Sequence, residues 1–263
     1  MSESFRPALS SRSIRLDAGM GTRLIARGLS LQDDDPCLWN LSHPDVVRRL
    51  HEADLAAGSE ALLTNTFGAN RNWLSRYDRE TEVRRINEAG VCLAREASGP
   101  NRFVLGSIGP TPSEVPKSYR EQAEALLSAG ADALVLETHR LDQAVVGLEI
   151  LRSLTPAPIL ISLYLWPDSL EESVRRLEDL GADAIGVNCV PGMDAALHYA
   201  QRLRAFTPLP LFLKPSRNEQ IPLADDVAFF GRIAGKRFDL GPILVGGCCG
   251  TTDQHVASLR DSW

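Results

Sequence analysis

The amino-acid sequence predicts a single (β/α)8 TIM barrel, one domain over residues 1–263. Short β-branched or apolar runs alternate with segments of helical period, the pattern of successive parallel βαβ units. Eight such runs in 263 residues give about 33 residues per unit, the repeat of a barrel of about 250 residues. Three helical segments also end in glycine just before the next run, at Ala57-Gly58, Ala129-Gly130-Ala131-Asp132 and Leu180-Gly181-Ala182-Asp183, where glycine supplies a left-handed terminus. A doubly wound open sheet shares the alternation. It is disfavoured because no strand is followed by a G-x-G-x-x-G turn, and Gly246-Gly247 with Gly250 carries cysteines where a phosphate loop needs bare backbone.

In chain order the strands are expected at residues 14–17 (IRLD), 61–66 (ALLTNT), 103–107 (FVLGS), 133–137 (ALVLE), 159–164 (ILISLY), 184–188 (AIGVN), 209–214 (LPLFLK) and 243–246 (ILVG). Helical spacing fills residues 45–57, 78–97, 118–129, 141–154, 170–180, 194–206 and 225–234 between them.

Composition narrows the function. The net charge of −6 and the absence of a Lys/Arg block argue against a nucleic-acid partner. The longest apolar stretch, residues 159–166, falls short of the about 20 residues that cross a bilayer, and residues 1–12 are polar with no apolar leader segment. Neither membrane nor secretion is therefore expected. Five cysteines, an odd number with two adjacent, suit a reducing, cytoplasmic compartment and a metal or redox role.

Barrel chemistry sits at the C-terminal ends of the strands. Those ends carry Asp17-Ala18-Gly19-Met20-Gly21-Thr22, Thr64-Asn65-Thr66, Gly106-Ser107-Ile108-Gly109-Pro110, Glu137-Thr138, Asn188-Cys189 and Gly246-Gly247-Cys248-Cys249-Gly250. Three cysteines thus share one mouth. Cys189, Cys248 and Cys249 would form an incomplete tetrahedral site with one open position, and all-sulfur ligation favours Zn2+ over magnesium or calcium, iron sharing the same ligand type. Two buried cysteines beside a tight turn are the competing reading. Cys37 and Cys92 are read as inert packing residues.

These segments, with Leu63-Thr64-Asn65-Thr66-Phe67-Gly68-Ala69-Asn70 and Val245-Gly246-Gly247-Cys248-Cys249-Gly250-Thr251-Thr252, carry a resemblance over nearly the whole chain: the sequence resembles the homocysteine S-methyltransferase family, the homocysteine-binding barrel of cobalamin-dependent methionine synthase and betaine–homocysteine methyltransferase. The resemblance implies that Cys189, Cys248 and Cys249 are the catalytic zinc ligands and that the homocysteine thiol enters as the fourth ligand. It also assigns Glu137 to the substrate amine, with Asp17 and its turn nearby. A zinc-bound thiol is deprotonated, whereas a free one has a pKa near 8.5, so the substrate could attack an activated methyl group to give methionine. The substrate carboxylate would be met by backbone N–H groups around Ala18, Gly19 and Gly21 or by the Thr66 hydroxyl, with Asn188 completing the substrate-binding set. The family usually has Gly where this chain has Ala18, which would cost about 1 kcal/mol if φ there were positive.

The methyl donor is read from departures. The betaine branch carries a C-terminal extension and an aromatic near the second-strand motif, where this chain ends soon after Thr252 and has Gly68; the S-methylmethionine branch generally shows Arg where Gly250 stands. The expected donor is a separate corrinoid protein, with a small sulfonium or betaine as runner-up and a non-catalytic zinc- or homocysteine-binding barrel as the reading from another class. No role falls to His43, His51, His139, His198 or His255; His139 is placed behind the site or at solvent.

Overall fold

The computed structural model describes residues 4–112, 115–236 and 240–260. The outermost residues of the expected 1–263 domain thus lie outside the described residues. Eight parallel strands, β1 (Ile14–Arg15), β2 (Ala61–Leu63), β3 (Phe103–Ile108), β4 (Ala133–His139), β5 (Ile159–Leu163), β6 (Ala184–Pro191), β7 (Leu211–Ser216) and β8 (Ile243–Val245), pair in the order β1-β8-β7-β6-β5-β4-β3-β2. The remaining seam, β1 to β2, is held by Glu60 N–H donating to Arg15 O at 2.8 Å and Leu63 N–H donating to the Asp17 carboxylate at 2.8 Å. The result is the predicted (β/α)8 barrel.

The helices are α1 (Phe5–Ser11), α2 (Met20–Ile25), α3 (Trp39–Ser42), α4 (Pro44–Ala57), α5 (Arg71–Leu74), α6 (Val83–Ser98), α7 (Val115–Ser128), α8 (Leu141–Leu154), α9 (Leu170–Asp179), α10 (Met193–Arg204), α11 (Leu223–Ala234) and α12 (Asp253–Arg260). The expected helix 78–97 begins later, at Val83, because Glu80–Glu82 form a 3-10 turn behind Asp78, whose φ of 56° breaks the helical run. The second strand stops at Leu63 instead of residue 66: Thr66 N–H turns back to Thr64 O, lifting this segment out of the ladder.

Inward and outward residues alternate along each strand, as a barrel requires. The outward set, including Val104, Leu134, Leu136, Ile161, Val187 and Leu213, packs under the helices. The inward set fills the lumen with Ile14, Leu16, Leu63, Leu105, Val135, Leu160 and Phe212. Phe5, Ala8 and Leu9 of α1 join this inner cluster, Phe5 meeting Phe103 edge-on at 5.0 Å. The polar opening of the sequence thus contains a short amphipathic helix that plugs the base of the barrel, where the sequence reading had no element.

The three glycine-ended helices do terminate in left-handed residues, with φ of 116° at Gly58, 94° at Gly130 and 86° at Gly181. The acid that follows each has a job at the base of the barrel. Asp132 accepts from Val104 N–H and Arg95, Asp183 from Ile159 N–H and Arg152, and Glu60 from Arg15 N–H and Arg12. The repeated Gly-x-acid step therefore anchors the start of the preceding strand.

Candidate metal centre and substrate cavity

The uppermost inward layer is polar: Ser107, Glu137, Ser162, Asn188 and Lys214, all buried. Ser107, Glu137 and Lys214 of this layer floor a cavity of about 240 Å³ that Asp17, Ala18, Gly19, Thr66, Cys189, Cys248 and Cys249 also line.

The three cysteines reach this wall by different local devices. β6 shifts register between Asn188 and Pro191, and Cys189 takes φ of 58°, a bulge that re-aims its side chain. β4 does the same between Leu136 and His139, with Thr138 at φ of 62°. Such left-handed non-glycine residues cost of order 1–3 kcal/mol each and cluster at functional sites. Asn188 ties the two bulges together. Its side-chain oxygen accepts from Thr138 N–H at 3.0 Å and Ser162 Oγ at 2.8 Å, and its Nδ2 donates to Thr138 Oγ1 at 2.5 Å. On the opposite wall, Thr251 Oγ1 donates to Cys248 O at 2.7 Å and accepts from Gly19 N–H at 3.0 Å, binding the cysteine loop to the first turn.

The sulfurs of Cys189, Cys248 and Cys249 all lie within 4.8 Å of one another. Cys249 stands 3.9 Å from each of the others, and Cys189 and Cys248 are 2.7 Å apart. Sulfurs about 2.3 Å from one tetrahedral ion sit about 3.8 Å apart, so two separations already fit and the third opens by about 1 Å. The electrostatics favour a cation. Hydrogen bonds from Cys189 and Cys248 hold Cys249 down to about 3, while Cys248 is pushed well up by its hydrogen bonds to Cys189 and Cys249 and by burial. One thiolate is stable in this cluster unaided; three require a positive ion. The group can hold a metal.

Glu137 sits beside it, accepting from Ser107 Oγ at 2.8 Å and from Asn188 Nδ2 at 3.4 Å. Burial raises its proton affinity, offset in part by Lys214 and Ser107. Asp17 is fully engaged: one oxygen pairs with Lys214 Nζ at 2.6 Å and the other accepts from Leu63 N–H. Lys214 is itself raised, because the attraction of Asp17 and Glu137 outweighs the effect of burial, so it stays charged. This lysine closes an apolar strand run, and a lone cation at such a strand end was the available sequence signal for it. The structure brings all nine expected site residues to one mouth, with Asn188 beneath Thr138 and Cys189. The Thr66 hydroxyl donates to Ser107 O at 2.7 Å and meets Thr64 Oγ1 at 2.6 Å.

Two open expectations are decided and one changes. Ala18 is not among the described residues with positive φ, so it carries no left-handed strain. Cys92 is exposed on α6 and is no packing residue, whereas Cys37 is buried and lines the cavity. His139 is fully buried, its Nε2 2.7 Å from the Tyr119 hydroxyl of α7, because the β4 bulge turns it outward beneath the helices.

Known proteins match this sequence and fold. The chain is 31% identical to methionine synthase of Mycobacterium tuberculosis over 95% of its length, spanning 24% of that larger protein. It is 28% identical to betaine–homocysteine S-methyltransferase 1 of Danio rerio, over 83% of this chain and 65% of that one. Among solved structures, the metallated homocysteine methyltransferase MmuM of Escherichia coli superposes with a TM-score of 0.80 at 26% identity, covering 96% of this chain and 97% of that one. The family description for homocysteine S-methyltransferase matches residues 14–263, nearly all of the barrel and all of its mouth, and the chain belongs to that family.

Proposed function

We propose that the chain, as one homocysteine-binding domain, transfers a methyl group to the sulfur of homocysteine and forms methionine, with zinc held by Cys189, Cys248 and Cys249. The observation that carries this reading is the three-sulfur cluster on the wall of the same small cavity as buried Glu137. Zinc bound there with one open position would deprotonate an incoming thiol near neutral pH and present its sulfur as the nucleophile. Glu137 supplies a carboxylate for the substrate amine, held in place by Ser107 and Asn188. Asn188 also fixes the Thr138 and Cys189 bulges, so that the amine partner and one metal ligand are positioned by a single side chain. Glu137 and Asn188 are buried, which strengthens these charge contacts.

A separate corrinoid protein is the methyl donor this reading favours. Gly250 directly after the double cysteine and the similarity to methionine synthases support it. No described helix is long and apolar enough to cross a membrane. A reducing cytoplasm would keep the three close thiols available for metal. The test incubates zinc-loaded protein and homocysteine with methylcobalamin, S-methylmethionine or betaine and measures methionine. Turnover with only the small donors removes the corrinoid partner. No turnover with any donor, together with no proton release on homocysteine binding, returns the barrel to a non-catalytic role.

A further inference from the structure

Lys214 is the one charged residue of the cavity floor that neither the metal cluster nor the amine contact uses. It stands on β7 in register with Asn188 of β6, so the two side chains project inward at the same level of the barrel. Asn188 in turn reaches Glu137 at 3.4 Å. Glu137, Asn188 and Lys214 thus form a row across the floor with an anion at one end and a cation at the other. An α-amino acid carries the complementary charges on one carbon.

Lys214 makes a single hydrogen bond among the described residues, to Asp17 at 2.6 Å, and an ammonium group has three donors. Two donors therefore remain on a side chain that is 4% exposed and borders the cavity. Unpaired donors at such depth are costly unless a ligand meets them. The other groups expected for a carboxylate are partly committed: Gly19 N–H is bonded to Thr251 and the Thr66 hydroxyl donates to Ser107 O.

We propose that Lys214 is a specificity-determining residue that binds the carboxylate of the amino-acid thiol, so that Glu137 and Lys214 together select a zwitterionic substrate. Asp17 anchors the ammonium through one donor and leaves the others facing the cavity. The reading rests on the homocysteine site proposed above.

The test measures binding of three thiols to the zinc-loaded full chain by calorimetry: L-homocysteine, 3-aminopropane-1-thiol, which lacks the carboxylate, and 4-sulfanylbutanoate, which lacks the amine. A buried charged contact left unpaired typically gives discrimination of about 10- to 100-fold, and wild type should prefer homocysteine over the aminothiol by that factor. In Lys214→Met this preference should fall to within about threefold while the preference over 4-sulfanylbutanoate, set by Glu137, persists; Lys214→Arg should retain most of the first preference. Because Lys214→Met strands the Asp17 charge, Asp17→Asn/Lys214→Met removes both charges and keeps an acceptor for Leu63 N–H. Its selectivity should match that of the single variant. Undiminished preference for the carboxylate in both variants, or none in wild type, overturns the assignment. If no thiol binds wild type at all, the homocysteine reading fails first and this one with it.

Discussion

Gly19→Ala tests whether the close approach of two backbone segments sets the metal centre. A Cβ at Gly19 would lie 2.1 Å from Cys248 O and 2.7 Å from Cys248 C, against 3.4 Å where ordinary contact begins, an overlap of about 1.3 Å with main chain. Gly19 has φ of −63°, so alanine brings no backbone strain and the whole effect is steric. The overlap must be relieved by moving the cysteine loop or the first turn, which Thr251 ties together. Metal ligands tolerate only about 0.2 Å of displacement, so a shift several times larger should lower zinc affinity by at least about 10- to 100-fold. Overpacking should cost a further 1–3 kcal/mol or so of stability. Gly21→Ala is the control, since its added Cβ meets only Pro36 Cγ at 3.7 Å. Chelator competition gives the affinity and urea unfolding the stability. Wild-type zinc affinity in Gly19→Ala, or an equal loss in Gly21→Ala, would refute the reasoning.

Further expectations concern the ligands, the base and the interior of the barrel. Cys189→Ala should abolish methyl transfer and most zinc binding while changing the stability of the metal-free chain by less than about 1 kcal/mol, because the side chain is only half-buried; unfolding of the variant would indicate a structural metal instead. Phe5→Ala, which empties the plug against Phe103, should cost about 3 kcal/mol in urea unfolding and leave zinc affinity unchanged. Burial lowers His139 from 6.5 to about 4, so between those values the unfolded chain binds the extra proton and stability drains as pH falls. Relative to His139→Gln, the metal-free wild type should lose about 3 kcal/mol between pH 7 and pH 4, and parallel losses in the two proteins would contradict the assignment.

The barrel was legible because its signals are local. Alternating apolar runs and helical spacing follow from which side chains can face a core, and the glycines at 58, 130 and 181 mark helix ends whatever the rest of the chain does. The cysteine trio was legible for a topological reason: once strands are placed, their C-terminal ends must share one mouth, so Cys189 and Cys248-Cys249 meet across about 60 residues of sequence. What stayed hidden depends on distances between chain segments. The α1 plug gains its value only from a lumen that exists after closure, and Asp17 serves two masters, the β1–β2 seam and Lys214, because both converge on it in space. The bulges at Thr138 and Cys189 arise where register must slip to turn a side chain toward the cavity, and no residue preference announces them. Sequence determined the fold and which three cysteines meet at its mouth; tertiary structure decided which polar groups are already satisfied, and so which remain to recognise a substrate.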